Sequence, residues 1–233
     1  MTLLGKAALA VWLECLPEAE EDFNRWYVEE HMAERVGLPG FLRGRRCQAV
    51  RGAPRYFAFY EAEGVGVFRS PAYLGRLNNP TDWTRRVMPT VRNFTRGVYR
   101  LGHTVGGREP PEGAQALVTL RLEPSPGREE ALRARYRDAA LEEMTAVPGV
   151  LSAALFEADR EATGGFTEER KVIGATAIAP PLLCVCEVRD AAVADGAAWR
   201  DLLAPDGPAR GDAVGRMTEG VYRLLHALSH PQA

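Results

Sequence analysis

The chain carries one set of short motifs twice, in the same order. Leu38-Pro39-Gly40-Phe41-Leu42 returns as Val147-Pro148-Gly149-Val150-Leu151. Gly97-Val98-Tyr99-Arg100-Leu101 returns as Gly220-Val221-Tyr222-Arg223-Leu224. Between them, the stretch from Ala53 to Glu61 is echoed by Ala179 to Glu187. A duplication of this span predicts two related units that pack as one pseudo-symmetric body. The copies differ most in their first helix. Asn24-Arg25-Trp26-Tyr27-Val28-Glu29-Glu30-His31 in the first copy aligns with Arg133-Ala134-Arg135-Tyr136-Arg137-Asp138-Ala139-Ala140 in the second. The first copy is therefore expected to hold a site and the second to act largely as scaffold.

Residues 6–15 read as a buried strand, ended by Pro17. Acidic residues then open a helix over about 19–36, with Phe23, Trp26, Tyr27 and His31 close to one face. Gly37 and the Pro39-Gly40 pair stop it. Strands follow at 41–50 and 55–62. Alternation puts Arg43 and Arg45 on one face and Arg46 on the other. A short helix around 71–77, a polar segment over 78–86 and a strand at 91–101 complete a β-α-β-β-α-β order, which is ferredoxin-like. The second copy repeats it: strands at 115–123, 150–158, 182–189 and 216–225, with helices at 128–146 and 197–204. The expected division is a first repeat over 1–104, a Gly- and Pro-bearing linker over 105–114, and a second repeat over 115–233. Residues 158–172 make a longer hairpin connection in the second copy, expected as a tolerated exposed insertion, with cover over the site as the alternative. A sheet of this order has helices on one face only, so its bare face must be buried. Two such units placed face to face predict an α+β fold closing into an intramolecular barrel. Such a barrel can keep a cavity between sheet and helices or between the sheets.

The balance of charges narrows the partners. A net charge of -2 with no basic tract argues against nucleic acid. No apolar run approaches a membrane span. The four cysteines, Cys15, Cys47, Cys184 and Cys186, have neither zinc-knuckle spacing nor a disulfide framework. They read as reduced thiols in a cytoplasmic protein, and the Arg-, Ala- and Gly-rich composition as bacterial. His226 and His230 lie four apart with no carboxylate motif nearby, so no metal site is expected. No phosphate-binding glycine loop and no Gly-x-Ser-x-Gly elbow is present. Hence no cofactor is expected.

Phe23-Asn24-Arg25-Trp26-Tyr27 through Glu30-His31, then Pro39-Gly40-Phe41 with an Arg-rich strand, Ser70-Pro71-Ala72-Tyr73 and Arg92-Asn93-Phe94, resemble EthD-like proteins. These belong to the dimeric α+β barrel superfamily. The second half matches through Val147-Pro148-Gly149 and Gly220-Val221-Tyr222, so the whole chain looks like a tandem member. That resemblance implies the fold and marks the helix histidine, here His31. It leaves the reaction open, since the superfamily holds monooxygenases, isomerases, cyclases, haem-handling enzymes and proteins without known activity. Met32-Ala33 follows His31 where relatives often carry an apolar residue and proline.

His31 is the candidate general base, with Tyr27 and Asn93 assisting. Trp26, Trp83 and Tyr60 are candidate walls and donors for an aromatic ligand. Arg43, Arg45, Arg85 and Arg92 are candidate clamps for a carboxylate or enolate. The leading expectation is acid/base proton transfer on a small aromatic or enolisable substrate: isomerisation, cyclisation or decarboxylation, or activation for oxygen. The alternatives are haem or small-molecule binding without catalysis, and a structural or accessory role. The chain is expected as a monomer with an internal pseudo-dimer, or as a homodimer.

Overall fold

The computed structural model describes residues 3–106, 113–164, 167–173 and 177–231. The first repeat runs β1 (Ala7–Cys15), α1 (Glu20–Trp26), a π-helical turn (Tyr27–His31), α2 (Met32–Val36), β2 (Phe41–Arg51) and β3 (Tyr56–Ala62). It continues through α3 (Pro71–Asn78) and α4 (Asp82–Val87) to β4 (Val91–Gly106). The second repeat runs β5 (Ala116–Pro124), α5 (Glu129–Arg135), a second π-helical turn (Tyr136–Ala140), α6 (Leu141–Ala146) and β6 (Val150–Ala158). An excursion follows, built of α7 (Arg160–Thr163), α8 (Glu168–Ile173) and β7 (Ala177–Ile178). Then come β8 (Leu182–Val188), α9 (Ala197–Leu203) and β9 (Val214–Ser229).

Eight strands close a barrel in the order β1-β3-β2-β9-β5-β8-β6-β4, with β4 returning to β1. The seams are made by the two long last strands. The first part of β4 pairs with β1, and its second part, from Tyr99 to Gly106, pairs with β6. Likewise β9 pairs first with β5 and then, through its later residues, with β2. Both strands are longer than the sequence pattern predicts. Residues 105–106, expected as linker, are still strand; the rest of that linker that is described begins at Gly113. Because the seams form within one chain, closure needs no second copy. Among the described residues no helix is long and apolar enough to cross a membrane.

Three cores result. One fills the barrel, where Trp12, Phe57, Phe59, Phe156 and Tyr222 pack with ring centroids 5.1–5.9 Å apart. The other two lie between each sheet and its own helices. The duplicated motifs serve this arrangement. A Cβ on Gly97 would lie 2.6 Å from the Tyr99 ring, and one on Gly220 would lie 2.4 Å from the Tyr222 ring. Each tyrosine folds across the glycine two residues earlier on its own strand face, which is why Gly-Val-Tyr recurs. The Pro-Gly pair recurs because Gly40 and Gly149 take φ of +84° and +86° where helix turns into strand.

Gly40→Ala is expected to destabilise the protein by more than about 1 kcal/mol, since an L-residue is strained at that φ. Its Cβ would also meet Val67 Cγ2 at 2.6 Å. Gly75→Ala in α3, where the methyl meets nothing within 4 Å, should instead stabilise by up to about 1 kcal/mol. Urea unfolding midpoints of the two variants check both signs.

Candidate active site

The π-helical turn decides where His31 goes. The Met32 N–H donates to the Tyr27 carbonyl five residues back, so this turn holds one residue more than an α-turn. His31 is thereby packed at a tilt against both preceding aromatics, its ring centre 4.3 Å from that of Trp26 and 4.9 Å from that of Tyr27. The second copy keeps the π-turn and Tyr136 but has Ala140 in place of histidine. The distorted helix therefore belongs to the scaffold, and the imidazole is what the first copy adds.

His31, Trp26, Tyr27 and Tyr60 line a cavity between the helices and the outer face of β1, β3 and β4. Its volume is about 50 Å³. At roughly 10–15 Å³ per water this holds a few waters. Leu9, Val11, Val91 and Met88 make its apolar walls. Three polar atoms in those walls lack hydrogen-bond partners among the described residues: His31 Nδ1, Tyr60 Oη and Arg35 Nη1. Buried polar atoms are normally satisfied, so three orphans around one cavity need a reason. A ligand that bonds to them supplies one.

The same place in the second copy is apolar. The repeat alignment puts Ala140, Met144, Cys184 and Cys186 where the first copy has His31, Arg35, Ala58 and Tyr60. There the Met144 sulfur touches both cysteine sulfurs at 3.8 Å. One fold thus carries a polar cluster in one copy and a filled apolar core in the other.

Electrostatics keep the imidazole neutral. Burial, then the Arg35 and Arg46 charges, hold the His31 pKa well below its ordinary 6.5. Burial raises the phenol pKa values of Tyr27 and Tyr60, so both stay protonated donors. Arg46, opposite Arg43 and Arg45 on β2 as alternation predicts, lies 3.8 Å from the Tyr27 ring centre and donates to Asn24 at 2.7 Å. A depressed histidine pKa has a consequence for stability. Below about pH 6.5 the unfolded chain takes up a proton that the folded His31 refuses. Stability contributed by this group is therefore full above pH 6.5 and is lost as pH falls below it, at up to about 1.4 kcal/mol per pH unit. His31→Gln should flatten that slope, as read from urea midpoints between neutral and acid pH.

The excursion of the second repeat reaches over this cavity. Thr167, Glu169, Arg170 and Ile173, on or beside α8, form one wall. Glu169 pairs with buried Arg35 of α2. Nearby, β7 runs parallel to β4 at Thr95 and Arg96. So the insertion takes the covering alternative, and the second repeat supplies part of the site. Arg35, Glu169, Arg96 and Arg170 were not signalled by local sequence. The one available signal was spacing, since Arg35 lies one turn beyond His31.

The other sequence candidates are dispersed. Arg43 and Arg45 point into the barrel, where Glu61 and Glu187, equivalent residues of the two repeats, pair with them. Asn93 has a left-handed φ of 49° beside a register shift in the β1–β4 pairing. That turns it to solvent, where it donates to Glu14 at 2.6 Å. Trp83 packs at the rim of the helix-side core and donates to Asp22 at 3.0 Å. Arg85 and Arg92 are exposed. Of the proposed set, the structure gathers His31, Tyr27, Trp26 and Tyr60 at one cavity.

Among the described residues no cluster of three His, Cys, Asp or Glu side chains could hold a metal ion.

No protein-family model and no curated protein matches the chain. Several solved structures share its fold over nearly its whole length. An anthrone oxidase-like protein superposes with a TM-score of 0.62 at 12% identity, covering 97% of this chain and 93% of that one. A candidate monooxygenase of Fusobacterium nucleatum subsp. nucleatum gives 0.57 at 11% identity, covering 97% and 96%. A candidate monooxygenase of Lactobacillus acidophilus gives 0.56 at 8% identity, covering 96% of each chain. The likeness shows a shared fold, two ferredoxin-like units closed into one eight-stranded barrel.

Proposed function

We propose that this protein is an EthD-like enzyme that removes a proton from a carbon whose electron pair can pass, directly or through an aromatic ring, to a carbonyl in a small aromatic or polycyclic substrate. The carrying observation is the cavity, in which a neutral, unpartnered imidazole faces apolar walls beside the Tyr60 phenol and the Arg35 guanidinium, whose Nη1 makes no hydrogen bond. A neutral imidazole can accept the proton, and apolar walls strengthen every charge interaction between them. As the C–H bond breaks, its electron pair moves toward the carbonyl oxygen. The Tyr60 hydroxyl and Arg35 Nη1 are the donors that would meet the resulting oxyanion. Tyr27 and Trp26 fix the imidazole ring by tilted ring contacts. The step draws on side chains alone. Returning the proton to another carbon gives an isomer, and an electron-rich enolate is also the species that reacts with oxygen. The names of the structural relatives, an anthrone oxidase-like protein and candidate monooxygenases, favour the second outcome. The test is deuterium exchange: the protein should speed incorporation of solvent deuterium into the methylene group of anthrone under nitrogen. No acceleration over buffer would overturn the reading.

A further inference from the structure

The cavity opens past a collar shared with a second space. Phe94, Arg96 and Arg170 line the inner cavity and also a surface groove of about 440 Å³ between β4 and the excursion. Arg160 lies on that groove too. Among the described residues the groove is lined by three arginines and by no carboxylate. The acids nearby are engaged elsewhere, Asp159 with Arg100 at 2.9 Å and Glu161 with Arg69. Inside the cavity the carboxylate is Glu169, already paired to Arg35.

Two guanidiniums converge at the collar. Arg96 donates to the Thr163 carbonyl at 3.2 Å, and Arg170 donates to the same oxygen. The other arm of Arg96 donates to the Tyr73 hydroxyl at 3.2 Å, so its hydrogen-bond partners among the described residues are neutral. Two like charges meeting on one neutral oxygen repel each other, and partial burial sharpens the repulsion. Burial and the Arg96 charge together loosen the Arg170 proton. An anion between them removes that cost. The geometry is a two-pronged fork at the door of the inner chamber.

We infer that the ligand is an aromatic carboxylate, held with its ring toward His31 and its carboxylate between Arg96 and Arg170. This rests on the ligand-site reading of the cavity given above and names the class of substrate. It also gives the excursion a task, since Arg170 comes from α8 and Arg96 from β4, so the anion would tie the second repeat to the first.

The test compares 2-naphthoate with its uncharged methyl ester on the intact protein, by calorimetry. The acid should bind at least about tenfold tighter, as expected for one or two charge-assisted hydrogen bonds. That advantage should shrink from low to high salt while the ester stays constant. Arg96→Gln and Arg170→Gln should each lower the acid's affinity about tenfold and leave the ester's unchanged. Arg96→Lys, which keeps the charge, should retain most of the salt-sensitive advantage and guards against a folding artefact of the Gln variant. Equal binding of acid and ester, or binding of neither, overturns the inference. The two readings fail separately. Naphthoate discrimination without anthrone exchange removes catalysis and leaves the anion site, whereas exchange without discrimination does the reverse.

Discussion

His31→Ala should slow deuterium exchange by about 10²- to 10⁴-fold, the usual contribution of a positioned general base. The same change should cost little or no stability. This combination separates a working histidine from a structural one. A structural histidine holds a hydrogen bond, and its loss strands a partner at about 1–3 kcal/mol. Here Nδ1 has no partner to strand, and the ring is buried at a desolvation penalty. His31→Leu, which refills the space with apolar atoms, should raise the thermal midpoint while abolishing exchange. Tyr60→Phe gives a second check, because its hydroxyl has only the Tyr27 hydroxyl beside it. It should leave the midpoint nearly unchanged and reduce exchange through the lost oxyanion donor. Normal exchange in His31→Ala would assign the proton transfer elsewhere. A large fall in stability with His31→Leu would return the histidine to the core.

The fold was largely legible because its repeated motifs are local backbone constraints. A glycine overlaid by the tyrosine two residues on, and a glycine at positive φ after a helix, must be glycine wherever they occur. What escaped local reading depends on distant partners. The tail of β4 passes through Gly102, His103 and Thr104, a stretch with no strand pattern of its own. It becomes strand by pairing with β6 about fifty residues later in the chain. Residues 78–86 read as a polar segment, yet the Thr81 hydroxyl accepts from the Thr84 N–H and starts a helix over Asp82–Val87 that buries Val87. The site divides in the same way. His31, Tyr27 and Trp26 share one helix, so spacing brings them together. Arg35 follows Glu34 and reads as an ordinary surface charge until Glu169, 134 residues away, is seen to bury it. Asn93 misled because period-two alternation assumes no bulge, and the register shift beside it reverses its face.

Arg45→Ala should destabilise the protein by about 3–5 kcal/mol, the cost of leaving a buried charge without its partner. It should leave the affinity for 2-naphthoate unchanged. Arg45 is 4% exposed and lies inside the barrel, away from the helix-side cavity. It bridges Glu187 of the second repeat and Glu61 of the first, the latter at 3.4 Å, while Arg43 holds Glu61 at 2.6 Å. Ser152 adds a 2.7 Å hydrogen bond to Glu187. The second repeat has Ser152 and Ala154 where the first has Arg43 and Arg45, so one copy provides both cations for a pair of acids that the duplication made equivalent. An identical second chain in place of the second repeat would bring four arginines to two glutamates. The divergence balances the charge and so commits each half to the other. Removing the Arg45 guanidinium leaves two glutamates facing one cation in a closed barrel. The double variant Arg45→Met with Glu187→Gln should recover part of the loss, because the charge imbalance goes with it. Urea unfolding of the single and double variants reads the coupling directly. If Arg45→Ala instead weakened ligand binding at unchanged stability, the arginine would belong to the substrate and not to the joint between the repeats.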